Sequence, residues 1–104
     1  MRSKLKSTYK QRNTFQAVFT KFGSFHNAQG KKEYTILVQN ITLANRIVAD
    51  HLWLSDITPF DGIELQRGNR VQFSAVTDKY VKPNISGQYA EDYLLRNIQD
   101  VIKL

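Results

Sequence analysis

Asp50 and His51 stand side by side in the stretch IVADHLWLS, residues 47–55, with Trp53 two positions further on. An acid beside an imidazole is the start of a proton relay, in which the carboxylate orients the ring and the ring moves a proton. Consecutive side chains of an extended chain project to opposite faces, however, so a regular strand here makes the two splay apart. The chain has no cysteine, and no serine sits in a Gly-x-Ser-x-Gly elbow. A nucleophile of either type is therefore missing, and the expectation is a binding protein rather than an enzyme.

Metal chemistry is equally thin. With only His26 and His51 and nine acids, no spacing matches paired zinc histidines or a calcium loop. No metal or cofactor is expected. The tryptophan offers different chemistry, because a ring on an open face can carry a stacked base. Strand alternation puts Val48, Asp50, Leu52 and Leu54 on one side and Ile47, Ala49, His51 and Trp53 on the other. The leucines favour the first side for the core, leaving His51 and Trp53 outside. Asp50 would then point inward, a costly place for a carboxylate that a bulge nearby would relieve. The competing assignment buries Trp53 as core filling.

Strands must position these residues. TFQAVFTKF, Thr14 to Phe22, carries apolar residues on both faces, as in a long bent strand serving two sheets, with Gly23 to bend or end it. GSFHNAQGKK, residues 23–32, has the composition of a hairpin connection, and EYTILVQNITL, residues 33–43, is rich in strand formers. A short turn at Ala44, Asn45 and Arg46 leads into residues 47–55. Thr58, Pro59, Phe60 and Asp61 support at most one helical turn. Gly68 then turns into a fourth strand with Val71, Phe73 and Ala75 alternating, and residues 79–92 read as a polar loop. In DYLLRNIQDVIKL, residues 92–104, the apolar spacing fits a helical stripe. It also suits a bent closing strand, which the preceding strands need as an edge partner. The strand is preferred.

One hundred and four residues suffice for one domain and one core. Hydrophobic and charged fractions of 41% and 23% are those of an ordinary globular chain. The absence of a membrane-length apolar run or a secretory signal points to a cytoplasmic protein. Net charge is +6 and unevenly placed. Arg2, Lys4, Lys6, Lys10 and Arg12 fall in residues 1–12 without an acid, leaving the remainder nearly neutral. A flexible basic N-terminal arm, residues 1–13, is thus expected ahead of a folded domain at 14–104. Such an arm either reaches phosphates, releasing counterions, or merely keeps the chain soluble.

Leu65-x-x-Gly68-x-x-Val71-x-Phe73-x-Ala75-Val76 and Asp92-Tyr93-x-Leu95-x-x-Ile98-x-x-Val101 are similar to the fourth-strand entry and the last strand of OB domains in nucleic-acid-binding proteins. With EYTILVQNITL and VADHLWL, the chain resembles an OB-fold over residues 14–104. The resemblance implies a mainly β, five-stranded Greek-key barrel whose binding face crosses strands two and three, flanked by two loops. Those loops correspond here to GSFHNAQGKK and to DKYVKPNISGQYAEDY, each mixing rings with lysines.

The expected function is a module for single-stranded nucleic acid, DNA before RNA, with weak sequence preference, in replication or repair. Trp53, Tyr34, Phe25 and Tyr80 would stack bases beside His51. Lys31, Lys32, Arg46, Lys79 and Lys82 would meet phosphates, with Lys4, Lys6, Lys10 and Arg12 of the arm extending the footprint. The alternative is a small accessory subunit that docks on a DNA polymerase, primase or helicase and modulates it. An oligosaccharide-binding or structural barrel would leave the basic arm unexplained. Exposed strand edges also permit pairing of two copies.

Overall fold

In the computed structural model, residues 3–83 and 86–104 are described, the side chains of Ser3, Lys82 and Pro83 excepted. A 3-10 helix, η1 (Ser3–Thr8), precedes β1 (Arg12–His26), β2 (Lys32–Leu43) and β3 (Arg46–Leu54); η2 (Thr58–Phe60), β4 (Arg70–Pro83) and β5 (Tyr89–Lys103) follow. The strands form one antiparallel five-stranded sheet in the order β3-β2-β1-β4-β5. β1 is long because it serves two neighbours: residues 12–18 pair with β4 and residues 16–26 with β2. The fold is therefore mainly β, as the alternation predicts. The closed barrel is not: β3 and β5 remain free edges, with no ladder between them among the described residues.

The sheet encloses its own core. Phe15, Ala17 and Phe19 of β1 face Val71, Phe73 and Ala75 of β4, with Ile36, Val38, Leu52 and Leu54 across β2 and β3. The Phe15 and Phe73 ring centroids lie 6.1 Å apart, and Phe60 of η2 meets Phe73 edge-on at 6.4 Å. Irregularities make the curl. Val76, Ser74 and Gln72 of β4 pair with Arg96, Gln99 and Ile102 of β5, so each step of two residues on β4 takes three on β5. Asn97 and Asp100, at φ 54° and 55°, absorb the extra residue. The consequence is that Leu95 and Ile98 are buried and Val101 packs against the core, at a spacing that an undistorted strand would not bring to one face. The apolar stripe of residues 92–104 is thus a doubly bulged strand, not a helix.

Two expected loops are largely strand. The turn between β1 and β2 is confined to residues 27–31, where Asn27 Oδ1 accepts from the N–H groups of Gln29 and Lys31 at 3.0 Å each. The polar stretch 79–92 forms a β4–β5 ladder from Lys79↔Tyr93 to Pro83↔Tyr89, with Asn84 and Ile85 outside the described residues.

The N-terminus also differs from the expected flexible arm. Leu5 of η1 is fully buried in the core. The Thr8 and Thr77 hydroxyls share a buried hydrogen bond of 2.8 Å, and the Lys10 N–H donates to the Thr77 carbonyl at 2.8 Å. Burial of Leu5 is favourable, and Lys4, Lys6, Lys10 and Arg12 around it remain exposed. Leu5→Ala should accordingly cost about 2–5 kcal/mol, read as a lower urea midpoint at unchanged m-value. A midpoint equal to the parent's would mean that η1 does not contribute to the folded state.

Candidate nucleic-acid interface

Trp53 sits where pairing aligns three strands. Lys21 of β1, Leu37 of β2 and Trp53 of β3 are cross-strand partners in one row. The flanking Leu52 and Leu54 are buried, whereas Trp53 is 42% exposed, so the tryptophan is on the open face rather than in the core. Its ring lies close to Gly23, whose cross-strand partner is Thr35. A Cβ at Gly23 would come within 2.7 Å of Trp53 Cζ3 and 3.0 Å of Thr35 Oγ1. Lys21 Nζ stands 6.0 Å from the indole centroid, the arrangement of a cation beside a π-face. Glycine occupies β1 here because any side chain would displace the indole.

Alternation places Phe25, opposite Glu33, on the same face as Gly23 and Lys21, and Phe25 is also substantially exposed. His51 lies opposite Gln39, one step along β3 from the Trp53 row. Lys31 closes the adjacent turn through its N–H to Asn27. Trp53, Phe25 and His51 are therefore brought to one surface, with Lys31 in the turn at its end and Lys21, Gly23 and Thr35 added by the structure. Those additions were invisible without the register, although a glycine inside an apolar strand is itself a sign of close approach.

Other predicted members go elsewhere. Tyr34 pairs with Ser24 on the alternate face, where Lys32 Nζ stands 5.4 Å from its ring; Phe22 is exposed on that face too. Arg46, Lys4 and Lys6 line a groove of about 1090 Å³ with Leu43 and Ile47 at the β2–β3 turn. That turn is at the opposite end of a 12-residue strand from Lys32, roughly 40 Å if fully extended. Lys10 and Lys79 both approach the Tyr9 ring, at 5.4 and 4.9 Å, and Lys79 Nζ is 3.6 Å from Glu91. Arg12 donates to Ser74 Oγ at 2.8 Å. The Lys82 side chain lies outside the described residues. One groove gathering every predicted ring and cation is not what the fold builds.

Tyr80 does join Trp53. The two line a cleft of about 380 Å³ between β3 and β5, with Leu52, Ser55, Asp56 and residues 93–98. The Tyr80 hydroxyl donates to Asp92 Oδ2 at 3.3 Å, and Arg96 Nε is paired with Asp78 at 2.8 Å.

Asp50 and His51 do not splay apart. β3 carries an extra residue, Val48, between the pairs Thr42↔Ile47 and Ile41↔Ala49, and Asn40 opposite adopts φ 52°. The bulge buries both Val48 and Ala49 and turns Asp50 out to solvent. Its Oδ1 lies 3.6 Å from His51 Nδ1 and accepts from the His51 N–H at 3.2 Å. Both side chains are more than half exposed, where such a pair contributes little energy. Among the described residues, no group of three or more His, Asp or Glu is placed to hold a metal ion, and no helix is long and apolar enough to cross a membrane.

Compared with known proteins, the chain matches no family model, and searches of curated proteins and solved structures find no match.

The close approach at Gly23 gives a direct check of the ledge. Gly23→Ala should push the indole off the sheet and shift its emission to the red in the free protein. An unchanged emission maximum would show that Trp53 does not rest on Gly23.

Proposed function

We propose that the chain is an OB-like module that binds single-stranded nucleic acid, DNA before RNA, with weak sequence preference. The carrying observation is the Trp53 ledge. The indole rim lies close over Gly23, the ring remains partly open, and Lys21 stands beside it. A ring held in place before binding loses little freedom when a base stacks on it. Sequence preference would be weak because every base has a π-face. Phe25, two residues from Gly23 on the same face, offers a second stacking surface, with Lys31 and Lys21 to follow the phosphates.

The topology supports the OB-like reading. β1, β2 and β3 are joined by short turns and β4 returns beside β1, the Greek-key order, and a partly open five-stranded barrel is the form that OB domains take. The basic N-terminus extends the footprint as a docked surface, since η1 sets Lys4 and Lys6 beside Arg46. The accessory-subunit reading is favoured by a different observation. Phe22 and Tyr34 are exposed on the face of the β1–β2 hairpin away from Trp53, available to a replication enzyme while a strand occupies the ledge.

Oligo-dT at low salt should quench Trp53. By anisotropy of a labelled oligonucleotide, Trp53→Ala should weaken binding about 5- to 150-fold, the loss of one stacked base at ~1–3 kcal/mol. Affinity should fall with added salt at a log-log slope of about −0.7 per phosphate neutralised. No quench and no anisotropy change at low salt would refute the proposal.

A further inference from the structure

The β3–β5 cleft has chemistry that the ledge does not use. In an antiparallel pair, alternate residues turn their N–H and C=O groups toward the partner and the others turn theirs away. Among the described residues, β3 pairs only with β2 and β5 only with β4. The outward main-chain groups of both strands therefore border the cleft, a double row of donors and acceptors. Three rings, Trp53, Tyr80 and Tyr93, line it beside Leu52, Leu94 and Ile98.

Such an edge usually recruits another strand, but β3 and β5 come within 8 Å at Cα in places, closer there than the roughly 9.6 Å that an inserted strand needs. The cleft's 380 Å³ falls in the range of small-ligand pockets. The bulge at Asn97, φ 54°, contributes an amide side chain at the wall, and Ser55 and Asp56 border the other side. Arg96 is already neutralised by Asp78, so the cleft favours an uncharged ring over a phosphate.

The geometry points to the β3–β5 cleft as a pocket for one nucleobase. The base enters between Trp53 and Tyr80, its edge meeting Ser55, Asp56 and Asn97. This inference rests on the reading above in taking nucleic acid as the ligand, but it assigns a different site and a different role. The ledge stacks any base, whereas the cleft reads the edge of one.

Free nucleosides separate the two. With the full chain labelled by ¹⁵N, adenosine, cytidine, guanosine and thymidine at about 1 mM, the weak end of measurable affinity, are titrated alongside oligo-dT. The expected result is amide shifts at Ser55 and at residues 94–98 for one nucleoside above the others, with residues 21–33 unmoved. Leu94→Phe, which fills the cleft, should abolish those shifts while oligo-dT still moves the amides of residues 21–25. Cleft shifts with residues 21–25 unmoved by oligo-dT would refute the ledge and leave the pocket standing. Oligo-dT shifts at residues 21–25 with no nucleoside shifts at the cleft, or cleft shifts indifferent to Leu94→Phe, would overturn the pocket.

Discussion

A single antiparallel sheet has one apolar face and nothing to bury it against unless it curls onto itself. Here the curl is made by extra residues in the ladders: Val48 in β3, the register breaks along β1, and the two bulges at Asn97 and Asp100 in β5. Each sharpens local twist at the cost of a left-handed residue or an interrupted pair. The gain is a sheet that wraps Phe15, Phe73 and Phe60 from several sides. η1 and η2 then supply Leu5 and Phe60, which the strands alone would leave unmatched.

The surface follows from the same distortions. Because β1 runs on past its pairing with β4 and stays paired with β2 to His26, the β1–β2 hairpin carries a row of three partners at Lys21, Leu37 and Trp53. Gly23 leaves room for the indole, and Thr35 opposite it is buried although it lies on the outer face. At the opposite edge, the curl stops short of closing, so β3 and β5 confront each other across a cleft instead of a ladder. Ledge and cleft meet at Trp53, which contributes to both. Arg96 and Lys79 have acidic partners, while Lys21 stands beside the indole.

Period-two alternation and turn residues, which are local properties, determined much of this protein from the sequence alone: four extended segments and the single turn at Thr58–Phe60. For β3 they left two faces to choose from, and the burial of Leu52 and Leu54 with Trp53 outside decided between them. The threefold spacing of Leu95, Ile98 and Val101 was legible as well, but only as a choice between a helix and a bent strand. Tertiary structure decided that choice, because a residue spacing of three faces one way only when a neighbouring strand imposes bulges on it. It also decided that Asp50 and His51 meet, that Tyr34 leaves the Trp53 face, that Lys4 and Lys6 are docked, and that Lys21 and Gly23 flank the indole. The physical reason is the same in each case. Alternation tells a strand which side chains share a face, but the partner across the ladder, its register and the residue that bulges are set by contacts far along the chain, and a shift of one residue reverses the face.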